Sequence, residues 1–172
     1  MLKTLLTSVF VLSAATAQAG DRVTLLMQLE TDPRFTTLLD VLEAADLQDT
    51  LSTDGPFTLY APTNAAFAAM PEGTLAVLQL PANAERLAEV ISYHLDDRRL
   101  TSHHFAPGAA YYRPVLEDTR LCILNADEVT IDDGSGEIAT VIEADIKVSN
   151  GVIHVIDKVL IPAEKPACSM PG

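Results

Sequence analysis

Four histidines and a cluster of carboxylates are the residues from which chemistry could be built. His103 and His104 are adjacent, and Asp96, Asp97, Glu117 and Asp118 lie close enough in sequence to join a metal site. Adjacent histidines without a third ligand at a set spacing make a weak ligand set, and an exposed polar loop is the plainer reading, so no metal is assigned. His154 and Asp157 are three residues apart on an apolar strand and point to opposite faces, so they cannot form a catalytic pair. His154 reads as a core histidine. Asp157 lies among apolar residues and would need donors if buried. It is expected to anchor the Pro62-Thr63-Asn64 turn. Ser135 has the wrong spacing for a nucleophile elbow. Asp132-Asp133-Gly134-Ser135-Gly136 invites calcium but lacks the ligand order and distal Glu of a calcium loop, so it reads as a solvated turn. Without a nucleophile, a paired-acid constellation or a phosphate loop, the residues point to no catalytic group and no cofactor.

What remains is surface chemistry. Arg98, Arg99, Arg113 and Arg120 form a basic minority, with Tyr111 and Tyr112 between them. Arg and Tyr are favoured at interface hot spots, which makes Arg98 to Tyr112 a candidate contact surface. A solvated loop with local charge balance is the alternative. The chain has 11 Lys and Arg against 24 Asp and Glu in 172 residues, a net charge of −13. Such a surface repels phosphate backbones and excludes a nucleic-acid role. Trp is absent and aromatics are 5%, so base-stacking platforms are excluded too.

The N-terminus reads as an address. Lys3 precedes an apolar run from Leu5 through Phe10 to Ala15, and Ala17-Gln18-Ala19 is a small-x-small cleavage signal. Residues 1–19 are thus expected to be a signal peptide, with an uncleaved anchor as the alternative. No stop-transfer run follows, so no membrane span is expected after cleavage. The product would be secreted or periplasmic. That compartment permits a disulfide between Cys122 and Cys168, contributing on the order of 4 kcal/mol by chain entropy. A buried Cys122 and a free Cys168 remain the alternative.

The elements that must position these groups are helices first and strands after, an α+β order. Phe35, Leu38, Leu39 and Leu42 form one helical stripe. Phe57 to Tyr60 reads as a strand, and Thr63 or Asn64 caps the helix after it. Leu87, Val90, Ile91 and His94 share a later helical face, which places His94 toward the core beside Tyr93. Strands are expected at Leu121 to Leu124, Val129 to Ile131 and Ile138 to Ile142. Asn150-Gly151 predicts a type I′ hairpin into a strand from Val152 to Ile161, apolar on both faces and hence central.

Two segments carry a resemblance. Phe57-Thr58-Leu59-Tyr60-Ala61-Pro62-Thr63-Asn64-Ala65-Ala66-Phe67 resembles the first signature of the fasciclin (FAS1) domain family. Asn150 to Pro162, with Gly151, His154 and Asp157 inside it, resembles the second, and Tyr93-His94 resembles the family's Tyr-His pair. The resemblance implies a domain over residues 20–162, with a tail at 163–172. It implies seven strands in a wedge or sandwich with helices packed at one end. It also implies an exported adhesion module, without shared catalysis, that meets a protein or glycan at the cell envelope; a monomer is expected. In some animal members the Tyr-His pair has been assigned to integrin binding, which sets a contact role for Tyr93 and His94 against the core reading. Some relatives sequester apolar pigments, so a carrier of a pigment or lipid is a second reading, and a metal-dependent enzyme using His103 and His104 is a third. The chain departs from the family at Asp46, which stands where Gly is common, and across Asp96 to Asp118, where private specificity would sit.

Overall fold

The computed structural model describes residues 22–168 apart from positions 54 and 164, so the expected signal peptide lies outside the described residues. Helix α1 (Leu25–Glu30) is capped by Thr24, whose hydroxyl accepts the Met27 N–H at 3.3 Å. A 3₁₀ turn, Pro33–Phe35, leads into α2 (Thr36–Ala44), which buries Leu38, Val41 and Leu42 beside Phe35. The connection to α3 (Gln48–Ser52) passes through Asp46 at φ 56°, a left-handed conformation that suits the Gly common at this place in the family the sequence resembles. A short polar side chain tolerates that region better than most.

Strand β1 (Phe57–Pro62) follows, then α4 (Asn64–Ala68), α5 (Thr74–Leu78) and α6 (Ala84–Tyr93). The remaining strands are β2 (Leu95–Asp96), β3 (Gly108–Tyr112), β4 (Leu121–Asn125), β5 (Val129–Asp132), β6 (Ile138–Val148) and β7 (Gly151–Ile156). They form one seven-stranded sheet in the order β2-β1-β7-β6-β5-β4-β3. The β1–β7 pair is parallel, and the other pairs are antiparallel. The chain beyond β3 then returns to the opposite edge. Val115 donates to the Leu95 carbonyl at 2.7 Å and Leu116 to that of Ser92 at 3.3 Å, which curls the sheet toward closure.

Each face of the central strands meets a different core. Leu59, Ala61, Ile153 and Val155 pack with the helices. Tyr60 and Ile156 look into the curl, with Leu121, Ile123, Ile131 and Ala139. Every residue of β7 is buried, as a strand apolar on both faces requires. β7 ends at Ile156, however, short of the expected Ile161. Asp157 turns outward there, and its N–H donates to Thr140 of β6 at 3.2 Å.

The Asn150-Gly151 pair has a different purpose from the expected one. Val148 pairs with Gly151, so the connection is Ser149-Asn150, and neither Asn150 nor Gly151 has positive φ. The Asn150 carboxamide instead ties three segments together. Its oxygen accepts the Leu25 N–H at 2.8 Å, and its nitrogen donates to the carbonyls of Leu51 and Thr53, each at 2.8 Å. Gly151 is required by space, because a Cβ there would run into the Phe57 carbonyl oxygen. β6 also runs past the expected end at Ile142, on to Val148. It absorbs register shifts between Val141 and Ile146, with Asp145 at φ 63°.

Candidate functional site

Tyr93 and His94 belong to the core. Both are 1% exposed. The Tyr93 hydroxyl lies 2.8 Å from the carbonyl oxygen of Arg120 and 3.1 Å from that of Asp133, and burial pushes its pKa well up. The His94 Nδ1 donates to the Val90 carbonyl at 2.7 Å, and its Nε2 accepts the Leu160 N–H at 2.9 Å. One nitrogen donating and the other accepting is the neutral ring. Burial holds its pKa down to about 4. Neither side chain presents a polar atom to a partner.

His154 is likewise enclosed. Its Nε2 donates to the Leu100 carbonyl at 2.7 Å and its Nδ1 accepts from the Asp145 N–H at 3.4 Å. The ring stacks on Tyr60 at 5.8 Å and tilts against Phe105 at 5.3 Å. Thr63 is the cap of α4, its hydroxyl accepting the Ala66 N–H at 3.3 Å, directly after Pro62 closes β1. Asn64 reaches across instead: it accepts from Thr37 N–H at 3.0 Å and donates to the Pro33 carbonyl at 2.9 Å. Asp157 does not hold that turn. Its carboxylate accepts the Thr140 N–H at 2.6 Å, because the strand ends one residue earlier and Asp157 faces β6 rather than α4.

The residues read as a contact surface are separated and mostly engaged. Arg98 clamps Asp96, with Nε to Oδ1 at 2.8 Å and a terminal nitrogen to Oδ2 at 2.6 Å; Asp96 itself is 1% exposed. Arg99 donates to the Ser149 carbonyl at 2.8 Å. Tyr111 and Tyr112 lie on β3, not on a loop, at the sheet edge opposite β2. Tyr112 accepts from Ala106 N–H at 2.7 Å and packs edge-on against Phe105 at 5.4 Å. Tyr111 donates to the Pro166 carbonyl at 2.8 Å, and the Lys165 ammonium sits 4.3 Å from its ring centre. Cys122, paired with Tyr111 across the strands, is bonded to Cys168 with Cα atoms 5.3 Å apart. Tyr111 and the disulfide therefore pin the tail to the sheet.

His104 closes a local cap, its Nδ1 accepting the Thr101 N–H at 3.0 Å. Among the described residues no three His, Cys, Asp or Glu side chains gather as a ligand set. The 132–136 turn is only partly solvated. Asp133 is 3% exposed and accepts from Ile161 N–H at 2.7 Å and Ser135 N–H at 2.8 Å. Asp145, in the Ala144-Asp145-Ile146 segment that also matches the family's habits, accepts the Ser102 hydroxyl at 2.6 Å and N–H at 2.7 Å, a role that nothing in the sequence signals.

A groove of about 370 Å³ is left open beside the closing segment. It is lined by Asp97, Arg113, Pro114, Val115, Glu117, Asp118 and Arg120. Its floor is fixed by the Val115–Leu95 bond, by the Thr119 hydroxyl on the Leu116 carbonyl at 2.7 Å, and by Tyr93 under Arg120. Asp118 stands at φ 58°, which turns the chain sharply at the rim. Arg113 and Arg120 meet here; Arg98, Arg99, Tyr111 and Tyr112 do not line it.

A curled seven-stranded sheet with helices on one face and this strand order is a mixed α+β architecture. It matches the FAS1 domain pair from the insect cell adhesion molecule Fasciclin I with a TM-score of 0.69 at 20% identity, over 80% of this chain and 50% of that one. Residues 33–162 match the Fasciclin domain, and the chain belongs to that family. It is similar to Protein sll1483 of Synechocystis, 39% identical over 156 residues, covering 87% of this chain and 81% of that protein. It is 35% identical over 139 residues to human Periostin, of which it spans 16%. Cell surface glycolipoprotein MPB83 of Mycobacterium bovis is 30% identical over 141 residues, 76% of this chain and 57% of that protein. No helix among the described residues is long and apolar enough to cross a membrane.

Proposed function

We propose that the chain is an exported, non-catalytic interaction module that binds a protein or glycan at the cell envelope or extracellular surface, acting as a monomer. Its relatives include a protein named for the cell surface, and its fold is that of a cell adhesion molecule. The observation that carries the reading is the commitment of the chemistry-bearing side chains to the fold. His94, His154, Tyr93 and Asp96 are buried and bonded to backbone or to Arg98, while the Asp97 to Arg120 groove is exposed and polar. Recognition then works by surface complementarity, on a loop positioned by a rigid sheet.

The test is capture from native envelope extract with the mature chain as bait, beside a bait carrying Arg113→Ala and Arg120→Ala. Arg98 is left intact, because removing it would strand the buried Asp96. A partner held by the intact bait and lost by the variant is expected. Equal capture by both baits would move the contact elsewhere, and capture by neither would overturn the module itself.

A further inference from the structure

We infer that the groove between Asp97 and Arg120 is a binding site for a sugar bearing a single carboxylate, a uronic-acid residue of a glycan. This rests on the interaction-module reading above and names its ligand class. Among the described residues, Arg34, Arg86 and Arg98 are each ion-paired, whereas Arg113 and Arg120 are in no ion pair. Both line a concave surface that also holds Asp97, Glu117 and Asp118. Arg120 gives one terminal N–H to the Thr119 carbonyl, and neither it nor Arg113 has a carboxylate partner, so in a chain of net charge −13 their remaining N–H groups are donors open to a ligand. A guanidinium matches a carboxylate with two parallel N–H bonds.

The three acidic residues decide the rest of the ligand. Each offers acceptors only. An inorganic anion brings no donors to meet them and is repelled by them. A pyranose carries hydroxyls around its ring, which can donate to Asp97, Glu117 and Asp118 while its carboxylate takes the arginines. Val115, 42% exposed, gives an apolar surface for the C–H face of the ring. The volume lies at the small end of the range for ligand clefts, which fits one or two sugar rings. The overall negative charge selects against dense polyanions and in favour of isolated uronic acids. Backbone bonds from Val115 and Leu116 to α6 and β2 hold the loop before any ligand arrives, so little ordering accompanies binding.

The experiment is an amide chemical-shift titration of the mature chain. The probes are glucuronosyl-glucose, the neutral disaccharide cellobiose, inorganic sulfate, and an N-acetylated dipeptide with a free C-terminus. Expected are saturable shifts confined to residues 97 and 113–120 with the acidic disaccharide, and at least about tenfold weaker binding for Arg113→Ala. Cellobiose and sulfate should leave those residues unmoved. No saturation by the acidic sugar, equal binding of cellobiose or sulfate, unchanged affinity in Arg113→Ala, or tighter binding of the dipeptide would each overturn the assignment. A failed titration beside a successful Arg113-dependent capture would leave the module standing and remove only the uronate.

Discussion

The His94 Nε2 accepts the N–H of Leu160 at 2.9 Å, so the end of α6 is tied to the segment that follows the last strand. That bond exists only while the ring is neutral. Burial holds the His94 pKa to about 4, against 6.5 for an ordinary histidine, and burial lowers His154 as well.

The sign of the pH dependence follows. Between pH 6.5 and 4 the unfolded chain takes up a proton at His94 that the folded chain refuses. Stability is therefore full above pH 6.5 and is lost as pH falls through this window, by about 3 kcal/mol. Asp145 contributes to loss at lower pH: burial opposes its ionisation, but the Ser102 hydroxyl and N–H outweigh burial and keep its pKa low. Urea midpoints across pH 7.5 to 4 should show the decline, and His94→Ala should be less stable at pH 7.5 and flatter across the window.

Asn150→Ala should cost about 3 kcal/mol, since one carboxamide supplies two bonds to buried backbone groups of Leu25 and Leu51 and a third, half-buried one to Thr53. Gly151→Ala should destabilise at least as much for a different reason, the collision with Phe57. Denaturant unfolding of the two variants measures both. An Asn150→Ala midpoint equal to wild type would remove the anchoring role.

Arg98→Ala should destabilise by about 2 kcal/mol, because it leaves the Asp96 carboxylate buried without its cation. Arg113→Ala, on an exposed side chain without an ion pair, should unfold within about 0.5 kcal/mol of wild type. Thermal scans of the two proteins should separate them clearly.

Cys168→Ser should lower stability by about 2–4 kcal/mol and release the tail from Tyr111. Reductant should lower the melting temperature of the wild type and leave that of the variant unchanged. Tyr111, freed from Lys165 and Pro166, should become more accessible to nitration in the variant.

The core was more legible in the sequence than the surface. Helical stripes, the doubly apolar β7 and the inward His94 follow from spacing alone, because burial repeats with the period of each element. The left-handed Asp46 fits the resemblance, which puts Gly there, and Asp tolerates that conformation. The role of Asn150-Gly151 was not readable, since the same dipeptide that suits a tight turn also suits a carboxamide anchor beside a close backbone approach, and only the packing of Leu25, Leu51 and Phe57 distinguishes them. Asp157 was misplaced because its strand ends at Ile156. Arg98 and Tyr111 look free in sequence, but Asp96 and the Pro166 carbonyl claim them. Arg113 and Arg120 stood out only as part of a basic minority, and the fold alone brings them to one groove.

The pairing of Phe57 with Gly151 and of Pro62 with Ile156 places the last strand made at the centre of the sheet. A chain emerging from its N-terminus thus carries β1 and β2 on one side and β3 to β6 on the other, with an empty lane between them until Ile156 arrives. Such non-local pairing slows folding. It also makes the domain intolerant of C-terminal loss: a truncation that removes β7 does not trim the sheet from an edge but parts β2-β1 from β6-β5-β4-β3, leaving bonds such as Val115–Leu95 and Leu116–Ser92 to hold the two pieces together.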